Sequence, residues 1–296
     1  MCHMFAMSSG ARRIRATLWL LDTPDSPRAR NLQPPDGAGF GVFAADGTPH
    51  VVRQAILSRA DTMFAREAQH VTSSTFIAHV RHASTGRVAD RNTHPFVRDG
   101  RIFAHNGVIE GLEKLDAELG VAGTDVLGET DSERYFALIT REIAAANGDV
   151  TAGITAAARW IAQNLPLYSI NMVLTTPQEL WALRYPDTNN LFVLERPPGG
   201  RYGRHLDHAS PYSEIRVRSV DLADLPAVVV ESERMDEDPR WRLMSSGELV
   251  HVGPDLTVTS RIILEEPPAY PLALDDLRPE AAASQVANVP DLSATA

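Results

Sequence analysis

The sequence predicts an α+β fold in which two sheets pack face to face with helices outside them. Three observations carry this expectation. Short β-rich runs bounded by turn residues fill the first part of the chain, and two consecutive amphipathic helices stand in the middle. A second series of short strands then follows Pro166. Each helix has one apolar stripe to bury, and a sheet is the surface available to it.

Taken in order, residues 15–21 alternate loosely with β-formers and read as a strand, and residues 22–36, rich in Pro and Asp, read as a surface loop. Gly37-Ala38-Gly39-Phe40-Gly41 leads into an apolar run at 42–45, where so many glycines imply positive φ or a close backbone approach. Residues 54–70 read as helix, in one or two pieces. Residues 75–81 and 101–105 read as strands, each ending in polar residues and a turn.

The clearest local signal is Thr130-Asp131-Ser132-Glu133, which has the form of a capping box. Its helix places Tyr135, Leu138, Ile139 and Ile143 on one face and is stopped by Asn147-Gly148. A second helix over 151–165 presents Ile154, Ala157, Ala158, Ile161 and Leu165. Strands are then expected at 170–175, 180–184, 191–195, 227–232, 248–252 and 257–264, with turns such as Thr176-Pro177-Gln178 and Gly253-Pro254-Asp255 between them. Residues 2–265 form the expected domain. Residues 266–296, dominated by Pro, Ala, Asp and Ser, are expected to be a disordered tail.

Composition narrows the function. With 296 residues, 44% of them hydrophobic, the chain can bury a sizeable core. A formal net charge of -10 argues against a general nucleic-acid or acidic-membrane binder, because phosphate contacts need clustered Lys and Arg. No run approaches the roughly 18 apolar residues of a spanning helix, and the N-terminus lacks the apolar core of a signal peptide, so a cytoplasmic location is expected. The single cysteine, Cys2, can form neither an internal disulfide nor a multi-thiolate metal site.

Polar clusters stand out in apolar surroundings: Cys2; the run from His79 through Arg81, Ser84 and Thr85 to Gly86; Asn92-Thr93-His94-Pro95-Phe96 continuing to His105-Asn106-Gly107; and the capping-box segment. Each has a plain structural reading in isolation. Arg81 fits a surface ion pair, Asp131 the positive end of a helix dipole, and Asn106-Gly107 a hairpin turn. Glu129 and Glu133 read as capping and solvent-facing groups. His79, His82, His94 and His105 invite a metal site, but no carboxylate or cysteine cluster joins them.

Together, and in this order after a cysteine that directly follows the initiator Met, the clusters resemble the class II glutamine amidotransferases. The resemblance spans at least residues 2–140 and extends more weakly into the late strands. It implies the four-layer αββα sandwich of N-terminal-nucleophile hydrolases, with two mainly antiparallel sheets between helical layers. It further implies that Cys2, exposed when Met1 is removed, is the nucleophile and that its own α-amine takes the thiol proton. Asn106 and Gly107 would stabilise the oxyanion, Arg81 and Ser84 would hold the substrate carboxylate, and Asp131 would hold its ammonium, with no metal or cofactor required.

The sequence departs from synthase-linked members at His82, where Trp is common, at Thr85, where His is common, and at Phe40 between its glycines, where Trp often stands. These departures move it toward the stand-alone branch that includes the ergothioneine-pathway γ-glutamyl hydrolase. The expected activity is hydrolysis of the side-chain amide of glutamine or of a γ-glutamyl compound through a Cys2 thioester. Too little chain follows the amidotransferase region for a synthase domain. A glutaminase subunit feeding ammonia to a separate synthase therefore stays open, as does a catalytically silent binding module of the same fold.

Overall fold

The computed structural model describes residues 2–21, 35–57, 69–82, 84–209 and 215–285. Its strands, in chain order, are β1 (His3–Ser8), β2 (Ile14–Leu20), β3 (Gly37–Phe43), β4 (Pro49–Ala55), β5 (Gln69–Ser73), β6 (Thr75–Arg81), β7 (Phe96–Arg98), β8 (Arg101–Ile109) and β9 (Pro166–Thr175). There follow β10 (Leu180–Arg184), β11 (Phe192–Arg196), β12 (Leu206–Ala209), β13 (Ile215–Ser219), β14 (Ala227–Glu231), β15 (Arg242–Leu243), β16 (Glu248–Val252), β17 (Val258–Ile262) and β18 (Tyr270–Pro271). The helices are α1 (Leu112–Leu119), α2 (Asp131–Ala145), α3 (Val150–Asn164) and α4 (Pro279–Gln285), joined by short 3-10 turns.

Two large antiparallel sheets form the centre. The first runs β15-β11-β14-β1-β6-β3-β4, and the second β17-β16-β10-β9-β8-β7 with β18 added parallel to β9. The period-2 alternation of side chains sorts each strand between two layers. From β1, Met4 and Ala6 meet Ile77, Ile102, Ala104 and Val173 in the space between the sheets. Phe5 and Met7 point the other way, onto Ile14, Leu18, Ile215 and Val217 of a third sheet, β12-β13-β2-β5. On the outer face of the second sheet, Phe103, Met172, Leu174 and Leu183 pack under the apolar stripes of α2 and α3. The fold is thus α+β with two central antiparallel sheets, as the sequence predicts. Helices cover the second sheet, and the third sheet covers the first among the described residues.

Most expected elements lie where the pattern put them, and four differ. The proposed helix over 54–70 has strand at both ends, since Gln54 and Ala55 close β4 and Gln69–Ser73 is β5, while 58–68 lies outside the described residues. The strand expected at 101–105 continues through Asn106-Gly107 to Ile109, because β9 pairs with it throughout, Asn106 opposite Asn171 and Gly107 opposite Ile170. Tertiary pairing there overrides local turn chemistry. Glu133 is buried: Thr130 accepts from its N–H at 3.2 Å, but its carboxylate turns to the N–H groups of Leu127 (3.0 Å) and Gly128 (2.6 Å). Finally, residues 266–285 of the expected tail are packed, with Leu277 and Ala281 against Val108 and Asn189 donating to Gln285 at 2.9 Å. Residues 286–296, and the expected loop up to residue 34, lie outside the described residues. No helix among the described residues is long and apolar enough to cross a membrane.

Candidate active site

Cys2 stands at the head of β1, where that strand meets the end of β6. Its thiol donates to the His82 carbonyl at 3.2 Å and its sulfur accepts from the His82 N–H at 3.2 Å. Burial raises the thiol pKa, and the hydrogen bond from the His82 main chain works against that rise. The opposite sheet supplies Asn106, whose Nδ2 donates to the Cys2 carbonyl at 2.8 Å while its Oδ1 is buried without a partner. Gly107 follows in β8. A side-chain carbon there would lie 1.8 Å from the Ser169 carbonyl, so the position admits only glycine without breaking the β8–β9 pairing.

Arg81 ends β6 with 3% of its surface exposed. Its Nη2 donates to the carbonyls of Thr85 (2.8 Å) and Gly86 (3.3 Å), and its Nη1 is buried with no partner among the described residues. A buried guanidinium with an unused donor costs stability unless something anionic completes it. Asp131, at the first turn of α2, is equally buried. Its Oδ2 accepts from the Ile109 N–H at 2.9 Å and its Oδ1 from the Ser132 N–H at 2.9 Å, which ties the helix start to β8.

Three buried histidines flank the site as neutral imidazoles, His94 and His105 in the cleft wall and His79 beside His94. His105 donates from Nε2 to the Ser169 carbonyl at 3.2 Å, which leaves Nδ1 to accept from the Ser132 hydroxyl at 2.9 Å. Burial lowers its pKa. Burial and the nearby Arg81 charge push His79 down to about 3. His94, tilted 37° against His79 with centroids 4.2 Å apart, is also held well below the ordinary range by burial. A proton on His79 or His94 would sit in low dielectric near the Arg81 guanidinium, whereas His105 has the Asp131 carboxylate near it.

Cys2, Arg81, Ser84, Gly107 and Asp131 line one narrow cleft, with Asn106 behind it on the Cys2 carbonyl. All six residues singled out in the sequence thus come together from β1, β6, the loop after β6, β8 and α2. The sequence reading missed Thr130 and Ser132, which also line the cleft and which the capping box explained without any site. Chemically the cleft offers a nucleophilic sulfur, amide donors near it, one fixed cation and one fixed anion. That combination suits a small molecule with both a carboxylate and an ammonium.

Comparisons with known proteins bear on family and fold. Residues 1–263 match the family described as glutamine amidotransferases class-II. An uncharacterized protein of Methanocaldococcus jannaschii is 29% identical over 239 residues, 76% of this chain and 63% of that protein. The glutamine–fructose-6-phosphate aminotransferase (isomerizing) of Shigella flexneri is 34% identical over 109 residues, 36% of this chain and 18% of the enzyme. The chain therefore spans less than two thirds of these relatives. A predicted glutamine amidotransferase from Pseudomonas aeruginosa superposes with a TM-score of 0.64 at 20% identity, covering 87% of this chain and 99% of that one. The glutamine phosphoribosylpyrophosphate amidotransferase of B. subtilis gives 0.53 at 16% identity over 86% of this chain and 50% of its own. At these identities the structural likenesses speak for the fold.

Proposed function

The chain belongs to the class II glutamine amidotransferases, and from that premise we propose that it hydrolyses the side-chain amide of glutamine or of a γ-glutamyl compound through a thioester on Cys2. The observation that carries the reading is the cleft in which the Cys2 sulfur shares one wall with Arg81, whose Nη1 has no partner among the described residues, and Asp131. Arg81 takes the substrate α-carboxylate, with Ser84 beside it, and Asp131 takes the α-ammonium. The side-chain amide is then the part left to face sulfur.

In the proposed reaction, removal of Met1 frees the α-amine of Cys2. A free thiol and an α-amine have reference pKa values of about 8.5 and 8, and a charged amine and Arg81 near the sulfur act, with the His82 N–H, against the rise that burial imposes on Cys2. The sulfur gives its proton to that amine, gives up its bond to the His82 carbonyl and attacks the amide carbon. The oxyanion receives the free N–H of the Asn106 amide and the Gly107 main-chain N–H. Collapse of the intermediate returns the proton to the leaving nitrogen and leaves a γ-glutamyl thioester, which water hydrolyses to glutamate and free thiol.

Two measurements test this. Intact-mass spectrometry should find the chain without Met1, and 6-diazo-5-oxo-norleucine should add one covalent mass at Cys2. The purified protein should release glutamate from glutamine or from a γ-glutamyl amide, and Cys2→Ala should not. Retention of Met1 on an active protein, or turnover by Cys2→Ala, would sink the mechanism.

A further inference from the structure

The first sheet carries a second concavity, remote from Cys2. It opens at the other end of β11, where Arg196 lies opposite Ala227. Cys2 lies past Phe5, which is opposite Glu231. Roughly seven residues of strand, about 20 Å, therefore separate the two places. We propose that this cavity, about 280 Å³ and walled by Arg196, Arg201 and Arg204, binds a small polyanion through phosphate or carboxylate oxygens.

The charge balance of the wall carries the argument. Two of its three acids pair with arginines outside the wall, Asp207 with Arg216 at 3.0 Å and Asp238 with Arg240 at 2.6 Å, and Asp236 lies against His208 at 2.8 Å. The three arginines of the wall have no such partner. Arg196, 4% exposed, donates only to main-chain carbonyls, those of Leu222 (2.6 Å), Arg204 (2.8 Å) and Pro197 (3.5 Å). Arg201 donates to the Glu237 carbonyl, and the guanidiniums of Arg201 and Arg204 lie over the Tyr202 ring at 5.3 and 5.0 Å. Among the described residues none of the three has a carboxylate partner.

Carbonyl bonds satisfy the N–H groups of a guanidinium but leave its charge uncancelled. In a buried residue that charge is costly: burial first and Arg240 second lower the Arg196 pKa, and Asp236 and Asp238 nearby act against that without pairing with it. Planar guanidinium forks match phosphate and carboxylate oxygens in pairs, and three of them call for more than one negative charge. The cavity shares no residue with the cleft around Cys2, so this inference stands apart from the proposed reaction.

Titration calorimetry of the full chain against pyrophosphate and against citrate, at one fixed ionic strength, tests it. The wild type should bind at least one of them with one-to-one stoichiometry, and which one tells phosphate from carboxylate ligands. Arg201→Ala/Arg204→Ala should weaken that binding about tenfold or more, the usual scale for lost charged hydrogen bonds. Both residues are exposed, so the melting temperature without ligand should not move. Arg201→Lys/Arg204→Lys keeps the charge and should recover part of the affinity, which also decides the matter should the alanine variant fold poorly. Absence of saturable binding by either anion, or wild-type affinity in both double variants, would overturn the assignment.

Discussion

Asn106 does two things with one amide. Its Nδ2 holds the Cys2 carbonyl, which fixes the head of β1 against β8, and the same nitrogen has a second hydrogen for the proposed oxyanion. Asn106→Ala should therefore lower kcat about 100- to 1000-fold, the common cost of one oxyanion donor, with a smaller change in KM. Steady-state kinetics on glutamine check this, and an effect confined to KM would reassign the residue to substrate binding. A different residue makes a pH prediction. Glu231 is fully buried in β14, neither oxygen has a partner, and burial first and Glu233 second raise its pKa well above 4.5. The folded state therefore keeps a proton that the unfolded chain loses once pH passes about 4.3. Stability contributed by this group is full below that pH and declines as pH rises toward the folded value. Glu231→Gln, which cannot ionise, should gain melting temperature over wild type at pH 8 and gain none at pH 4. An equal difference at both values would mean that the carboxyl does not titrate alone.

Among the elements, the α2–α3 pair shows two local rules in conflict. Replacing a glycine by alanine inside a helix ordinarily gains about 1 kcal/mol. At Gly153 of α3, however, the added carbon would lie 2.4 Å from Ile143 Cγ1 and 2.6 Å from the Ile143 nitrogen of α2, and main chain cannot step aside. Overpacking of this kind costs about 1–3 kcal/mol and should win. Gly153→Ala is expected to lose stability in denaturant melts despite the better propensity. These two helices were also the most legible part of the sequence, because caps, stripes and stops agree. Thr130 caps the first as the sequence predicts, Asn147 and Gly148 adopt the positive φ of its stop, and Asp149, which the sequence reading did not single out, caps the second. The strand β1 was not legible at all. All six of its residues are buried, three on each side of the first sheet, so no polar alternation marks it, although it carries Cys2 into place. The Asn106-Gly107 strand was masked by turn chemistry, and the packing of α4 by a composition typical of tails. In each case the deciding partner, β6 for β1, β9 for β8, Val108 for α4, is remote in sequence. The site residues were legible only through the family resemblance of the ordered polar clusters, since Arg81, Asp131 and Asn106 each have an ordinary structural reading when taken alone.

Over the whole molecule, the cleft acts as a ruler whose marks belong to different layers. Cys2 and Arg81 are carried by the first sheet, Asn106 and Gly107 by the second, and Asp131 by the helix layer beyond it, pinned to β8 through the Ile109 N–H. In the proposed grip the Arg81–sulfur separation is fixed by β1–β6 pairing within one sheet, and the Asp131–sulfur separation by sheet-on-sheet packing through Met4, Ala6, Ile77, Ile102 and Ala104, all of them buried. Such a core is close-packed and does not adjust to suit a shorter ligand. Asparagine has the same carboxylate and ammonium as glutamine but one methylene less, so with its charged end seated on Arg81 and Asp131 its amide carbon stops about 1 Å or more short of the sulfur. A misplacement of that size costs on the order of 100-fold in rate. Asparagine should therefore bind as a weak competitor with kcat reduced about 100-fold or more relative to glutamine. Assays of ammonia release from both amides by the purified chain decide it. Comparable kcat for the two would mean that the charged end is not held by residues fixed in separate layers, and the assignment of Arg81 and Asp131 would fall with it.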